Sequence, residues 1–198
     1  MFVQVIKGQT SEPDALKARL DEWKTQLSGS AQGWQGTTAG VAEDGTFVAL
    51  VEFESAEAAR ANSESDAQGE WWAKTEPLLD NVEFADSQEV VTMFGGAKSD
   101  AGFVQVMEEE VLDLDKAKAF MAQAEEHMPE ARPDVVGGLI AVHGDTLTQA
   151  MYFTDEASAR AGESAPTPPE MEAQMQEMSS LFRVTSYIDI RDPWLERA

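Results

Sequence analysis

The chain consists of two similar copies placed one after the other. The segment Phe-Val-Gln-Val at residues 2–5 returns at 103–106, and Ala-Arg-Ala at 59–61 returns at 159–161. The offsets are 101 and 100 residues, so a single inserted residue separates two otherwise parallel copies. Self-similarity of this kind indicates that each copy is one structural unit, and a period this long indicates a duplicated small domain rather than a solenoid.

Each copy alternates apolar, β-branched runs with segments of helical spacing, and the order of elements is the same in both. The first copy predicts strand 2–6, a helix from Pro13, strands 36–42 and 46–53, a helix from Ser55, a helical stretch at 69–79 and strand 82–93. The second copy predicts strand 102–111, helix 113–127, strands 135–142 and 146–153, a helix near Asp155, helix 170–180 and strand 181–190. This β-α-β-β-α-β order is the split βαβ arrangement of ferredoxin-like folds, so the predicted class is α+β.

Small, polar and glycine residues separate the two copies. We therefore expect ferredoxin-like repeats at 1–95 and 102–198, joined by a linker at 96–101. The strand Phe-Val-Ala-Leu-Val at 47–51 does not alternate apolar with polar residues, so both of its faces are predicted to be buried. Helices can cover one face of the sheet, and the sheet of the other copy is the simplest candidate to cover the second face. The prediction is one pseudo-two-fold α+β barrel made of both sheets, with the helices outside.

Composition excludes several classes of partner. The formal net charge is −23, with 18 Asp and Glu against 7 Lys and Arg in residues 1–100 and 19 against 7 in residues 101–198. A field of this sign repels phosphate backbones and anionic lipid, so neither nucleic acid nor a membrane surface is an expected partner. The chain has no cysteine, no signal-peptide pattern and no apolar run of roughly 18 residues, which together predict a cytoplasmic protein.

No metal site is expected from the spacing of ligand-type residues. His127 at a predicted helix end and His143 beside a turn lack neighbouring ligands. The run Glu-Glu-Glu at 108–110 is interpreted as a charged strand end, with a Ca²⁺ site as the alternative. Arg60 and Arg160 recur at the same helical position, where they either pair with nearby acids or clamp a substrate carboxylate.

The segment Phe-Glu-Ser-Ala-Glu-Ala-Ala-Arg-Ala at 53–61 runs from the third strand into the following helix. Together with the β-α-β-β-α-β order, it resembles the dimeric α+β barrel superfamily, and within it the antibiotic-biosynthesis monooxygenase (ABM) group. Members of that group usually dimerise through their sheets, so the resemblance implies a tandem fusion that carries its own partner. We expect a monomer that mimics a dimer, with a dimer of barrels as the alternative.

The resemblance implies a pocket between helices and sheet in each half, used for oxygenation of a small aromatic or apolar molecule. No cofactor is expected, because the substrate itself supplies the electrons to dioxygen in such a reaction. The alternative is a non-catalytic ligand-binding or structural module on the same barrel. The sequence leaves open whether the chain is an enzyme, which would then be a monooxygenase.

The resemblance places the expected site of the first copy near its second helix, where the sequence has Asn62, Trp71 and Trp72. Adjacent helical residues point about 100° apart, so one indole can enter the pocket while the other packs on the surface. The tryptophans either fill a gap between helix and sheet or contact a ligand. Asn62 is either a helix C-terminal residue or a site amide.

Gln4 and Gln105 occupy equivalent positions in apolar strands and complete the predicted set of substrate-binding residues. A buried amide needs hydrogen-bond partners. The two glutamines are therefore expected either to bond each other across the barrel or to face a wet cavity.

The second copy differs from the first at the positions that correspond to the expected site. Gly162 and Pro166 replace Asn62 and Asp66, so the second copy is predicted to lack a comparable site. Its methionines at 171, 175 and 178 form a helical stripe, which either faces the core or supplies an adaptable binding surface.

Overall fold

The structure of the protein, a computed structural model, describes residues 1–121, 132–166 and 172–198. Its contacts divide the chain into two compact units, Met1–Val90 with Asp192–Ala198, and Val91–Arg191. The compact units and the sequence repeats therefore have different boundaries. Two residues singled out in the sequence, His127 and Met171, lie outside the described residues, as does the predicted end of helix 113–127.

Both units contain an antiparallel five-stranded sheet. The strands are β1 (Phe2–Gln9), β2 (Trp34–Val41), β3 (Thr46–Phe53), β4 (Asp80–Ser87), β5 (Glu89–Met93), β6 (Phe103–Val111), β7 (Val135–His143), β8 (Thr146–Phe153), β9 (Phe182–Ile190) and β10 (Trp194–Arg197). The first sheet has the order β10-β2-β3-β1-β4, and the second has the order β5-β7-β8-β6-β9. In each sheet, four strands follow the ferredoxin-like order and a fifth is added at one edge, so the predicted α+β class with two ferredoxin-like halves is confirmed.

Capping residues in the sequence mark the starts of several helices. They are α1 (Pro13–Gln26), α2 (Ala56–Ser63), α3 (Asp66–Thr75), α4 (114–121, up to the limit of the described range), α5 (Glu156–Ser164) and α6 (Glu172–Leu181). The hydroxyl of Ser55 accepts a hydrogen bond from Ala58 N at 3.2 Å, and the carboxylate of Asp155 accepts one from Ser158 N at 2.7 Å. These bonds satisfy backbone donors at the starts of α2 and α5, which fixes both helices directly after the strands β3 and β8.

The edge strands of the two sheets are exchanged between the copies. Residues 82–93 were expected as one strand, but the structure ends β4 at Ser87 and starts β5 at Glu89. The hydroxyl of Ser87 accepts a hydrogen bond from the backbone N–H of Glu89 at 3.2 Å and donates one to the carbonyl of Glu89 at 2.8 Å. These two bonds make a local turn. Strand β5 then joins the second sheet beside β7, while β10, from the end of the second copy, joins the first sheet beside β2.

Helix α1 shows how the helical layer of the first unit is built. Its residues Leu16 and Trp23 are buried, as their helical spacing predicts, and they pack towards β1 and β3. On β3, consecutive residues from Phe47 to Leu50 are all buried, so the predicted burial of both strand faces is confirmed. No helix in the described part of the chain is long and apolar enough to cross a membrane.

Candidate functional site

A cavity of about 250 Å³ lies between helices and sheet in the first unit. Its floor is formed by side chains of β1 and β3, and its walls by α1 and α3. Most lining side chains are apolar, and the polar ones are Gln4, Thr37, Ser63, Gln68 and Thr75. Apolar cavities with a few polar groups are the common form of small-molecule sites, so this cavity is the candidate site of the first unit.

Both predicted tryptophans line this cavity. Trp71 is only 8% exposed, and its indole N–H donates to the carbonyl of Arg19 at 2.8 Å. Trp72 is half-buried, and its ring contacts Trp71 at 6.1 Å and the exposed ring of Phe84 at 5.5 Å between centroids. Both rings reach the cavity, and Trp71 also belongs to the core, so neither indole packs away from the pocket.

Hydrogen bonds fix the walls of the first cavity. Arg19 on α1 donates to the carbonyl of Trp71 at 3.2 Å and to the hydroxyl of Thr75 at 3.3 Å, both on α3. The indole of Trp23 donates to Gln68 at 2.6 Å. These bonds hold α1 against α3, and they engage the indole N–H groups of Trp23 and Trp71.

Gln4 lies on the floor of the cavity and donates to a carboxylate oxygen of Asp86, on the neighbouring strand β4, at 2.9 Å. Asn62 lies in the last turn of α2 and is absent from the cavity lining, where its neighbour Ser63 takes its place. Its carbonyl accepts from the backbone N–H of Ser65, so the structure places Asn62 as a helix C-terminal residue. Substrate contact by Asn62 therefore has no geometric support.

The second unit has a larger cavity, of about 660 Å³, in the corresponding place between helices and sheet. Gln105 lines it and donates to Asp189 on β9 at 3.0 Å, which repeats the bond of Gln4 to Asp86. Each glutamine thus lines a cavity and bonds a carboxylate of its own sheet, so of the two alternatives the bond between the glutamines is not the one found. The reason is strand pairing, because Gln4 lies opposite Asp86 and Gln105 opposite Asp189 in register.

The repeated arginines have different surroundings in the two units. Arg160 forms ion pairs with Glu156, Glu163 and Asp189, and its guanidinium lies 5.2 Å from the ring centroid of Phe103. Arg60 has a side chain that is 72% exposed and pairs with Glu64 at 4.0 Å. Both therefore pair with nearby acids, as expected, but only Arg160 lines a cavity.

The prediction that the second copy lacks a comparable site was wrong with respect to the cavity itself. Gly162 and Pro166 both line it, together with Met175 and Met178 of α6. The space beside the backbone of Gly162 is occupied, since an added Cβ would lie 2.6 Å from a carboxylate oxygen of Asp134, so a residue as large as Asn62 would not fit there. Sequence reasoning also missed Glu109, whose side chain lines the same cavity. The alternation Phe103, Gln105, Met107 is the signal that would have placed it there.

The two cavities differ in the chemistry that they can support. Among the described residues that line the first cavity, none has an ionisable side chain, so it can bind and orient a molecule but offers no proton acceptor of its own. The second cavity contains carboxyl and guanidinium groups, including Asp189, Arg160 and Glu109. A ligand there can be bound through its polar groups as well as its apolar surface.

Comparison with protein-family models and with curated protein sequences finds no match. Solved structures do match over almost the whole chain. A candidate monooxygenase from Fusobacterium nucleatum superposes with a TM-score of 0.75 at 12% identity, covering 99% of this chain and 94% of that one. A candidate monooxygenase from Lactobacillus acidophilus gives 0.65 at 10% identity, covering 98% of both chains. An anthrone oxidase-like protein gives 0.65 at 9% identity, covering 100% of this chain and 91% of that one. The predicted resemblance to ABM-type proteins is thereby confirmed at the level of the fold.

Proposed function

We propose that the protein binds a small aromatic or apolar molecule in the cavity of its first unit, in the cytoplasm. The observation that carries this proposal is an apolar cavity of about 250 Å³ whose walls are tryptophans held by hydrogen bonds. An apolar cavity of about 150 Å³ holds a benzene ring in other proteins, so this one has room for a bicyclic ligand. Its size and lining support a flat ligand with little charge.

The lining residues have separable roles in this proposal. Trp71 and Trp72 offer ring faces and edges for stacking, which favours aromatic ligands over aliphatic ones of equal size. Gln4 is anchored to Asp86 and retains an amide oxygen that accepts a hydrogen bond from a ligand hydroxyl. Fixed side chains lose little conformational entropy on binding, so the cavity is suited to a ligand that matches its shape.

A second candidate function is oxygenation of the bound molecule without a cofactor. The fold shared with two candidate monooxygenases favours it. In this chemistry the substrate reduces dioxygen, and the cavity contributes orientation and exclusion of water. Because the described lining of the first cavity has no ionisable side chain, the substrate would have to enter in an electron-rich form, such as a quinol or a phenolate.

The test is a thermal-shift and tryptophan-fluorescence screen with hydroxylated mono- and bicyclic aromatics and quinols. We expect at least one compound to raise the melting temperature of the wild type and to change its tryptophan emission. Trp72→Ala removes a half-buried wall and is expected to weaken binding by about tenfold or more, because the ligand loses its stacking contact. Oxygen uptake with the bound compound then separates the two candidates: uptake identifies oxygenation, and its absence identifies a binding module.

Trp194→Ala is the matched control. Trp194 is also half-buried and belongs to the first unit, but it does not line the first cavity. Binding should survive in this variant. Equal loss of binding in both variants, or full binding by Trp72→Ala, would contradict the proposal. If Trp72→Ala does not fold, Ala49→Leu fills the same cavity from its floor and is expected to abolish binding.

A further inference from the structure

Glu109 is a carboxyl side chain inside the second cavity. It lies on β6 and faces the same side of the sheet as Gln105 and Met107, because side chains alternate along a strand. Glu109 is 9% exposed, and the residues opposite it in register are Leu147 on β8 and Val184 on β9. Its cross-strand neighbours are therefore apolar.

Among the described residues, nothing pairs with this carboxyl. Its neighbour Glu110 forms an ion pair with Arg183, whereas Glu109 makes no hydrogen bond or ion pair to a described residue. Burial alone raises the pKa of Glu109 from 4.5 to about 6. A buried carboxyl without a partner lowers stability, so an apolar side chain would suit this position better if packing were its only role.

The first unit has no counterpart of this group. The position that corresponds to Glu109 in the repeat is Gly8, which pairs with Phe47 as Glu109 pairs with Leu147. There the space above the strand is taken up, since an added Cβ would lie 3.1 Å from the carbonyl oxygen of Asp80 and 3.5 Å from the side chain of Leu79. The carboxyl therefore belongs to the second cavity alone.

At the opposite end of the second cavity, both carboxylate oxygens of Asp189 have partners. One carboxylate oxygen of Asp189 accepts from Gln105, and the other accepts from Arg160. Gln105 and Glu109 are four residues apart on one strand, which separates them by about 13 Å. Between them the lining is mostly apolar and includes Met107, Ile140 and Phe182. The cavity is thus an elongated, largely apolar space with a carboxylate at one end that has no partner among the described residues.

We propose that the second cavity binds an elongated apolar molecule that carries a hydroxyl or amino group at one end, and that Glu109 accepts a hydrogen bond from that group. The ligand supplies the partner that the carboxyl lacks within the described protein, and its apolar body fills the space towards Gln105. This site is separate from the cavity of the first unit, and it is independent of the function proposed for that cavity.

Calorimetric titration at pH 8 with 4-hydroxybiphenyl and 4-methylbiphenyl tests the proposal. The two probes have nearly the same size and shape, but only the first has a hydrogen-bond donor. We expect the wild type to bind 4-hydroxybiphenyl at least about tenfold more tightly than 4-methylbiphenyl, since a hydrogen bond to a charged, buried acceptor is a strong one. In Glu109→Met this preference should disappear or reverse, because the acceptor is gone and the volume is kept.

Glu110→Gln is the matched control, since it removes the neighbouring carboxylate, which is paired with Arg183. It should keep the wild-type preference. Glu109→Met removes an unpaired buried charge, so loss of folding is not expected to obscure the result. An equal affinity of the wild type for both probes, or an unchanged preference in Glu109→Met, would overturn the proposal. Binding in the first cavity is read separately by tryptophan fluorescence, because all five tryptophans lie in the first unit. It should be weakened by Trp72→Ala and left unchanged by Glu109→Met.

Discussion

The carboxyl of Glu109 binds its proton more tightly in the folded protein than in the unfolded chain, because burial raises its pKa from 4.5 to about 6. Its contribution to stability is therefore fully present below pH 4.5 and is lost as the pH rises through 6. The difference between the two pKa values corresponds to about 2 kcal/mol in the free energy of unfolding. Roughly 1 kcal/mol of this should be lost between pH 5 and pH 8.

Chemical denaturation of the wild type and of Glu109→Gln at pH 5 and pH 8 measures this effect. The stability of the wild type relative to the variant should fall as the pH rises, because the amide does not titrate. Glu110→Gln serves as the control, and its difference from the wild type should show no such fall through pH 6. Parallel stabilities of wild type and Glu109→Gln at both pH values would show that Glu109 is not buried without a partner.

Replacement of glycine by alanine should have opposite effects on stability at two positions of the first unit. Gly69 lies inside α3, and an added Cβ would meet nothing within 4 Å. Gly69→Ala should therefore stabilise the protein by about 0.5–1 kcal/mol, because alanine favours the helix. Gly33 has a φ of +76°, and an added Cβ would lie 2.8 Å from the Cβ of Ala58, so Gly33→Ala should destabilise it by more than that. Thermal unfolding of both variants measures the two effects, and a shift in the same direction would contradict this account.

Individual site residues were predictable where their environment is set by the local pattern. Gln4 and Gln105 stand in apolar strands, and Trp71 and Trp72 follow a capped helix start, so their positions at a cavity could be predicted. Glu109 was missed because the run at 108–110 looks like a solvated strand end. Of the three glutamates in this run, strand alternation buries only Glu109. The sequence does not show that a cavity lies next to its side chain.

At the scale of secondary structure, the order of elements was predictable but the pairing of the edge strands was not. Periodicity and caps encode the type of each element, and the structure confirms the β-α-β-β-α-β order in both copies. Strands β5 and β10 are short and contain no pattern that specifies a neighbour. Which sheet each strand joins depends on contacts far away in sequence, such as the ion pair between Arg197 on β10 and Glu52 on β3, at 2.5 Å.

Deletion of residues 192–198 should destabilise the first unit selectively. The deletion removes β10, the bond from Arg197 to buried Glu52, and the hydrogen bond from Lys24 to the carbonyl of Arg197 at 2.5 Å. Strand β2 then becomes an unpaired edge. Hydrogen exchange followed by mass spectrometry should show faster exchange in β2, with β7 of the second unit as the internal control. Equal changes in β2 and β7 would contradict the assignment of β10 to the first sheet.

At the scale of the whole molecule, we expect a monomer in solution. The resemblance to proteins that dimerise through their sheets implies that a tandem fusion supplies both halves itself. The net charge of −23 also opposes association of identical chains at low salt. Light scattering should give a mass near 21.6 kDa at both low and high ionic strength. A mass twice as large at both ionic strengths would indicate the dimer of barrels instead.

The exchange of edge strands also determines when each sheet can be completed during synthesis. Strand β10 belongs to the first sheet, yet it leaves the ribosome after all of β1–β9. The second sheet uses only β5–β9, so it can close while the first sheet still lacks its final strand. The half of the protein that is made first is therefore completed last, and until then β2 remains an open edge in the nascent chain.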